Sequence, residues 1–404
     1  MRALPHRGAG VLALALGATV ALTACAGTPS SAPASDAPAS DAAAVSDAGT
    51  RVALAYPGGI VVLDGETLEV LGDVDSEEFT RLNPAGDGRH VMVTTSAGFQ
   101  VLDAGTADAE PVLTDRLFEA EAAGHVVVHG GKTVLYADGT SDTTIFDTDD
   151  LLAAGDELPE TTVIEGVEAH HGVSIVLEDG SFVTTVGNAD GRTGIMVQDA
   201  EGATIAESAE CPGVHGEGTA QDEVVVFGCD NGALVYDGDE IVKLDAPDQP
   251  YGRTGNLFVS ETSPLVLGDY KDDQDAEGYL LQSVVVIDTA APSLEVIDMP
   301  EGAEYTFRDL ARGPEDLGYI LASDGSIHVL DLEAGEFVDA FPVIEAWEGP
   351  ADWQDAHPAI KISGDIAYVT EPASNEVHAV DLTSGEVLAS ATLEVTPNEI
   401  ALTR

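Results

Sequence analysis

Histidines and cysteines, the residues best suited to bind a transition metal, are concentrated in one part of this sequence. Five of the ten histidines lie between residues 125 and 229, namely His125, His129, His170, His171 and His215. Cys211 and Cys229 fall in the same stretch. Zn²⁺ takes four nitrogen, sulfur or oxygen ligands in a tetrahedron, and neutral imidazole suits it well. If these side chains meet in space, the stretch is a candidate zinc site.

The elements that must position these histidines have the pattern of β-hairpins. Apolar runs alternate with Gly-containing turns, as in VALAYPGGIVVLDG, HVMVTTSAGFQVLDAG and HVVVHGGKTVLYADG. Such units recur near the spacing of about 40 to 50 residues that is typical of four-stranded propeller blades. We therefore predict an all-β fold, a β-propeller of eight four-stranded blades in which the N- and C-terminal strands complete one blade. Seven blades are the alternative, because residues 140–167 are hard to align.

An acidic residue at the end of the hairpin aligns seven of the units with one another, and an eighth unit around residues 182–186 lacks it. The aligned residues are Asp64, Asp103, Asp138, Asp237, Asp288, Asp331 and Asp381. This alignment makes HVVVHGGKTVLYADG the second and third strands of a blade, preceded by an inner strand at Phe118 and Glu119.

Innermost strands line the central channel of a propeller, and their first residues lie at one mouth. In our alignment His170, His171 and His215 begin two successive inner strands, and His129 ends a second strand beside them. We predict that these four histidines, with Glu217, form a zinc site at the channel mouth. The alternative for each histidine is a hydrogen-bonded structural role.

The alignment assigns structural roles to several other histidines. His125 begins a second strand and is expected to lie on the far side of the sheet from His129. His328 and His378 fall in third strands, where we expect them to face solvent.

The first 24 residues have the pattern of a lipoprotein signal peptide. Arg2 and Arg7 precede an apolar run that ends at Leu22-Thr23-Ala24-Cys25. We predict cleavage before Cys25, a lipid on its sulfur, and a location on the extracytoplasmic face of the cell membrane. Residues 25–50, rich in Ala, Ser, Pro and Asp, are predicted to be a disordered tether to a propeller domain at residues 51–404. Since no later apolar stretch approaches the roughly 20 residues that span a bilayer, the lipid is the predicted membrane attachment.

Cys211 and Cys229 remain once Cys25 carries a lipid. In an oxidising compartment the simplest prediction is one disulfide between them. Thiolate ligation of a metal is the alternative.

Charge and motifs exclude some classes of function. Fifteen Lys and Arg against 73 Asp and Glu give a formal net charge of −58, which would repel the phosphates of nucleic acid. The sequence has no GxSxG, P-loop or HExxH motif. We predict a binding protein that is not an enzyme, and expect a monomer.

Four segments resemble the AztD-type zinc metallochaperones: TRLNPAGDGRHVMV, VEAHHGVSIVLEDG, ECPGVHGEG and YGRTGNLFVSETSPLVLGDYK. The resemblance covers residues 51–404 and implies an extracytoplasmic β-propeller that passes Zn²⁺ to the solute-binding protein of a zinc ABC transporter. It implies His170, His171 and His215 as zinc ligands and a disulfide between Cys211 and Cys229. The functional alternative is a cell-surface propeller that serves as a scaffold for protein–protein interaction without a metal.

Overall fold

Thirty-three strands in eight sheets make up nearly all the regular structure of residues 49–403, the part of the chain that the computed structural model describes. The predicted signal peptide, Cys25 and nearly all of the predicted tether lie outside these residues. Within the described part, no helix has the length and apolar character needed to cross a membrane.

We number the sheets as blades in chain order. Blade 1 contains β1 (Arg51–Tyr56), β2 (Gly59–Asp64), β3 (Val70–Asp75) and β33 (Ile400–Thr403). Blade 2 contains β4 (Leu82–Pro84), β5 (His90–Thr95), β6 (Gly98–Asp103) and β7 (Val112–Glu119). Blade 3 contains β8 (Ala123–His129), β9 (Lys132–Ala137), β10 (Thr143–Asp147) and β11 (Thr162–Ile164). Blade 4 contains β12 (Ser174–Val176), β13 (Phe182–Asn188), β14 (Gly191–Gln198) and β15 (Thr204–Ser208).

The second half of the ring repeats this arrangement. Blade 5 contains β16 (His215–Thr219), β17 (Val225–Cys229), β18 (Asn231–Tyr236), β19 (Ile241–Asp245) and the short β20 (Gly252–Arg253). Blade 6 contains β21 (Leu257–Phe258), β22 (Leu265–Tyr270), β23 (Ser283–Asp288) and β24 (Ser293–Asp298). Blade 7 contains β25 (Leu310–Arg312), β26 (Gly318–Leu321), β27 (Ser326–Asp331) and β28 (Glu336–Pro342). Blade 8 contains β29 (Ala359–Ser363), β30 (Ile366–Glu371), β31 (Glu376–Asp381) and β32 (Val387–Thr392).

Each blade is an antiparallel meander that runs from an inner to an outer strand. Blade 1 joins the two ends of the described chain, because β33 pairs with β1 in the register Arg51↔Thr403 to Leu54↔Ile400. This confirms the predicted eight-bladed β-propeller and its closure by the terminal strands. The segment that resisted alignment, residues 140–167, supplies β10, β11 and a six-residue helix, α1 (Thr148–Ala153).

The hydrophobic core lies between neighbouring blades. Second strands such as β1 are buried along nearly their whole length, whereas the outer β3 alternates between exposed and half-buried residues. One core cluster joins blades 3, 4 and 5 through residues such as Val127, Ile175 and Phe227. Complete burial of a side chain of this size contributes about 1.5–3 kcal/mol. The strands that carry the histidines of these three blades therefore pack against one shared hydrophobic core.

The aspartate at the end of the third strand closes the turn that follows it. The Asp64 carboxylate accepts hydrogen bonds from the backbone N–H groups of Glu66 and Thr67, and Asp381 accepts from Thr383 and Ser384. Such Asx turns explain why aspartate recurs at this position.

The predicted alignment was wrong in blade 3. There the residue that ends the third strand is Asp147, and Asp138 follows the second strand, β9. HVVVHGGKTVLYADG forms the first and second strands of its blade, while Phe118 and Glu119 end the outer strand of blade 2. The alignment failed because it matched Asp138, which follows a second strand, with the aspartates that end third strands in other blades. The shift by one strand moves His125 to the channel.

Candidate metal centre

Three histidines from three successive blades converge at the channel mouth. His125 lies near the start of β8, His171 precedes β12, and His215 begins β16. One potential ligand atom from each lies within 4.8 Å of the others. The ring centroids are 4.9 Å apart for His125 and His171, 5.5 Å for His125 and His215, and 5.1 Å for His171 and His215. We call this group the mouth triad.

Each imidazole of the mouth triad uses its Nδ1 in a contact with an acceptor. His125 Nδ1 lies 2.8 Å from the carbonyl oxygen of Gly172, and His215 Nδ1 lies 2.5 Å from that of Gly255. His171 Nδ1 lies 2.6 Å from Oδ2 of Asp138. A carbonyl or carboxylate oxygen accepts only, so Nδ1 carries the proton and donates in all three contacts. In a neutral imidazole this leaves the Nε2 lone pair available to a metal, which is the arrangement that outer hydrogen bonds impose on ligating histidines.

Burial favours the neutral form of two of these imidazoles. It is the largest cause that lowers the pKa of His125 to about 4, followed by the nearby His171 and Arg81. Burial also holds the pKa of His215 well below its ordinary value, and the adjacent His125 adds to this effect. Both side chains are therefore unprotonated at neutral pH and free to donate a lone pair.

Local backbone features set the position of His215. Gly216 has φ of +58°, and β16 is irregular between His215 and Glu217. A Cβ at Gly216 would lie 2.4 Å from the carbonyl oxygen of Gly255, the group that accepts from His215. Only glycine therefore allows this close approach.

A disulfide braces the same segment. Cys211 and Cys229 are bonded, fully buried, and separated by 18 residues along the chain, with a Cα–Cα distance of 4.9 Å. The bond links the residues before β16 to the end of β17, so it encloses His215. A crosslink that closes a loop of this length stabilises a fold by about 3 kcal/mol in the chain-entropy account. The predicted pairing of these cysteines is confirmed.

The mouth triad borders two cavities. A cavity of about 470 Å³ is lined by His171 and His215 together with the basic side chains Arg81, Arg253 and Lys271. A narrower channel cavity of about 190 Å³ is lined by His125. The side chain of His171 is 45% exposed. A cation held by the triad would thus be open to an incoming ligand on one side.

Three of the residues predicted for the zinc site lie outside the mouth triad. His129 ends β8, and its Nε2 lies 2.6 Å from Oε1 of Glu223. Both ring nitrogens of His170 have hydrogen-bond partners, including Glu168 O on Nδ1 and Tyr136 OH on Nε2. Glu217 lines the narrower channel cavity, and burial raises its pKa to about 7. Of the predicted set, the structure brings only His171 and His215 together.

Sequence reasoning missed two residues of this centre. His125 was placed in a second strand, and Asp138 was treated only as the end of a hairpin. Asp147 could have distinguished the correct alignment from the wrong one, because it ends the third strand of blade 3 as Asp103 ends that of blade 2.

The expectation that His328 and His378 face solvent was also wrong. Each is only 7% exposed. Outer strands cover them, since His328 pairs in register with Ala340 of β28 and His378 with Ser390 of β32.

Comparisons with known proteins find similarity to a curated relative and to solved structures. No protein-family model matches the chain. The zinc chaperone AztD of Citrobacter koseri is 24% identical over 324 residues, which cover 77% of this chain and 73% of that protein. The structure of apo AztD from Citrobacter koseri superposes with a TM-score of 0.73 at 21% identity, covering 87% of this chain and 97% of that chain. A crystal structure of the same protein gives a TM-score of 0.72 with the same identity and coverage. The chain is therefore similar in sequence to the zinc chaperone AztD and shares the fold of its solved structures, as the sequence motifs predicted.

Proposed function

We propose that this protein is a zinc-binding chaperone that carries Zn²⁺ on the mouth triad and delivers it to the solute-binding protein of a zinc ABC transporter. The observation that carries the proposal is the convergence of three imidazoles, each with one ligand atom within 4.8 Å of the others, while their Nδ1 contacts leave the Nε2 lone pairs unused. Three nitrogen ligands leave one position of a zinc tetrahedron open. The similarity to a protein named a zinc chaperone supports the choice of metal and of a carrier that is not an enzyme.

The open position explains how zinc would leave. A carrier must let a donor from its partner reach the metal before all of its own ligands dissociate. The exposed side chain of His171 and the cavity beside it allow such an approach. A neutral ligand set also holds Zn²⁺ without the strong attraction of several carboxylates, and the adjacent Arg81 and Arg253 weaken that hold further.

The test is zinc binding and transfer by the purified protein and two single variants. His215→Ala removes a triad ligand, and we expect it to lose zinc binding at the triad in a competition titration with a chromophoric chelator. His129→Ala is the matched control, because it removes an imidazole outside the triad. Incubation of the zinc-loaded protein with the metal-free solute-binding protein, in the presence of a chelator that intercepts free zinc, then measures direct transfer. Wild-type protein that binds no zinc would support the scaffold alternative.

We also infer that the mature protein is held at the membrane by a lipid on Cys25. The support is the sequence Leu22-Thr23-Ala24-Cys25 after a short apolar run. Metabolic labelling with a fatty-acid analogue should mark the wild-type protein and fail to mark Cys25→Ser. Equal labelling of both proteins would contradict the inference.

A further inference from the structure

A second group of potential metal ligands lies in blade 8, on the hairpin between β30 and β31. Glu371 ends β30, Glu376 begins β31, and His378 follows two residues later on the same face of that strand. One potential ligand atom from each lies within 4.8 Å of the others. We call this group the blade 8 cluster. It shares no residue with the mouth triad.

Neighbouring groups hold each side chain of the blade 8 cluster in place. Glu371 accepts the backbone N–H of Glu345 on Oε1 at 3.0 Å and the Ser374 hydroxyl on Oε2 at 2.8 Å. Glu376 accepts the Thr392 hydroxyl on Oε1 at 3.1 Å. His378 Nδ1 lies 2.8 Å from Ser390 Oγ. These contacts leave His378 Nε2 facing Oε2 of both glutamates.

His378 Nε2 is buried without a hydrogen-bond partner among the described residues. The side chain is 9% exposed, and Nε2 lies 3.5 Å from Glu371 Oε2 and 3.8 Å from Glu376 Oε2. A buried polar atom left unpaired costs about 1–3 kcal/mol, so such atoms normally have a partner. These separations are long for a hydrogen bond. They are close to the edge of a coordination tetrahedron, about 3.3–3.5 Å when each ligand lies about 2.0–2.1 Å from the ion.

Blade 7 offers a direct comparison at the same strand position. His328 occupies in β27 the place that His378 occupies in β31, and Ser326 stands where Glu376 does. There Nε2 of His328 lies 3.0 Å from Asp324 Oδ2 and forms a hydrogen bond. An unpaired histidine Nε2, as in blade 8, is therefore not a general property of this strand position.

We propose that Glu371, Glu376 and His378 bind a divalent transition-metal ion of the zinc class as a second site. One imidazole and two carboxylates suit Zn²⁺ and its first-row neighbours, whereas Mg²⁺ and Ca²⁺ prefer oxygen ligands throughout. Two carboxylates balance the charge of the ion. The Ser390 hydroxyl oxygen can accept a hydrogen bond from Nδ1–H of His378, which leaves Nε2 as the ligand atom. The ion supplies the missing partner of Nε2.

The two sites lie at the same face of the ring. Because β30 is antiparallel to β29, Glu371 lies at the end where β29 begins, and His215 lies where β16 begins. The blade 8 cluster does not depend on the mouth triad, so the inference stands apart from the proposed function.

The experiment measures zinc stoichiometry and affinity on the full chain by titration with Zn²⁺ against a chelator of known affinity. We expect about two zinc ions per chain for the wild type and about one for Glu376→Gln, which alters a partly exposed side chain and should leave the fold intact. The variant with His171→Ala and His215→Ala should keep about one ion. His328→Ala is the matched control and should keep both.

Two outcomes would overturn the inference. One is an unchanged stoichiometry in both Glu376→Gln and His378→Ala, with unchanged circular dichroism. The other is complete loss of zinc in the variant that lacks only the mouth-triad histidines. Failure of the proposed function looks different, because the wild type would then bind about one ion that Glu376→Gln removes.

Discussion

The mouth triad and the blade 8 cluster are built in opposite ways. The triad takes one neutral imidazole from each of blades 3, 4 and 5, and therefore exists only when three blades pack together. The blade 8 cluster takes two carboxylates and one imidazole from a single hairpin. Basic side chains border the triad, whereas the cluster in blade 8 is itself anionic.

The two ligand sets suit different uses of a bound ion. Neutral ligands beside Arg81 and Arg253, with an open side, favour exchange of a cation with a partner. Two carboxylates that neutralise the ion favour its retention. A chain with a net charge of −58 attracts cations over its whole surface. Specific binding then depends on where lone pairs converge, and both groups provide such a point.

Removal of His125 should have the largest effect on the triad and none on blade 8. His125→Ala deletes one of three ligand nitrogens, so we expect zinc affinity at the mouth to fall by more than about 100-fold, beyond the usual effect of losing an outer-shell partner. A chelator competition titration measures this fall. An unchanged affinity would show that a different set of residues binds zinc, as the sequence alone had suggested.

Asp138 should matter next, because it orients His171 without touching the metal. Asp138→Ala removes the acceptor 2.6 Å from His171 Nδ1, and loss of such a partner lowers metal affinity by about 10- to 100-fold. Asp138→Asn keeps an acceptor oxygen and should have a smaller effect in the same titration. Equal losses in both variants would mean that the charge of Asp138, and not its hydrogen bond, is what matters.

The pH dependence of the free energy of unfolding should show whether the imidazole of His125 is buried, because exposed histidines titrate alike in the folded and unfolded protein. The folded protein holds the pKa of His125 at about 4, whereas an unfolded histidine titrates near 6.5. Below about pH 6.5 the unfolded chain binds the additional proton, so stability of the metal-free protein is fully present above that pH and is lost as pH falls towards 4.

Denaturant unfolding between pH 7 and pH 4.5 measures this loss. His125→Ala should give a flatter dependence than the wild type over the same range, with His129→Ala as the control. The same slope in wild type and His125→Ala would contradict the assignment of the buried imidazole.

The smallest expected effect comes from the basic rim of the mouth. Arg81 is one of the charges that lower the pKa of His125, and it would repel a bound Zn²⁺ by the same mechanism. A unit charge and a divalent ion about 10 Å apart in water repel each other by about 0.8 kcal/mol, so Arg81→Gln should raise zinc affinity at the triad by at most roughly fourfold. The rise should shrink in high salt. A fall in affinity would indicate that Arg81 positions the site.

Most of the fold could be predicted because its signals are local. Apolar runs, glycine turns and the aspartates that close them recur in most blades, and residues such as Asp64 and Asp381 act through groups two or three positions away. The disulfide could be predicted because two cysteines remain in the domain.

The site could be predicted only in part because it depends on which strand of a blade is innermost. A shift of one strand in blade 3 exchanged His125 for His129. His170 and His171 are neighbours in sequence, yet only His171 reaches the triad, since Tyr136 and Thr185 engage Nε2 of His170. The environment of His378 arises from residues on β30, β32 and a loop, and no local pattern reports it.

An anomalous difference map, recorded at the zinc absorption edge from crystals of the protein grown with one equivalent of Zn²⁺, would locate the bound ion. We expect a peak about 2.0–2.1 Å from Nε2 of His125, His171 and His215. Zinc bound elsewhere, with the space between these three imidazoles empty, would contradict this expectation.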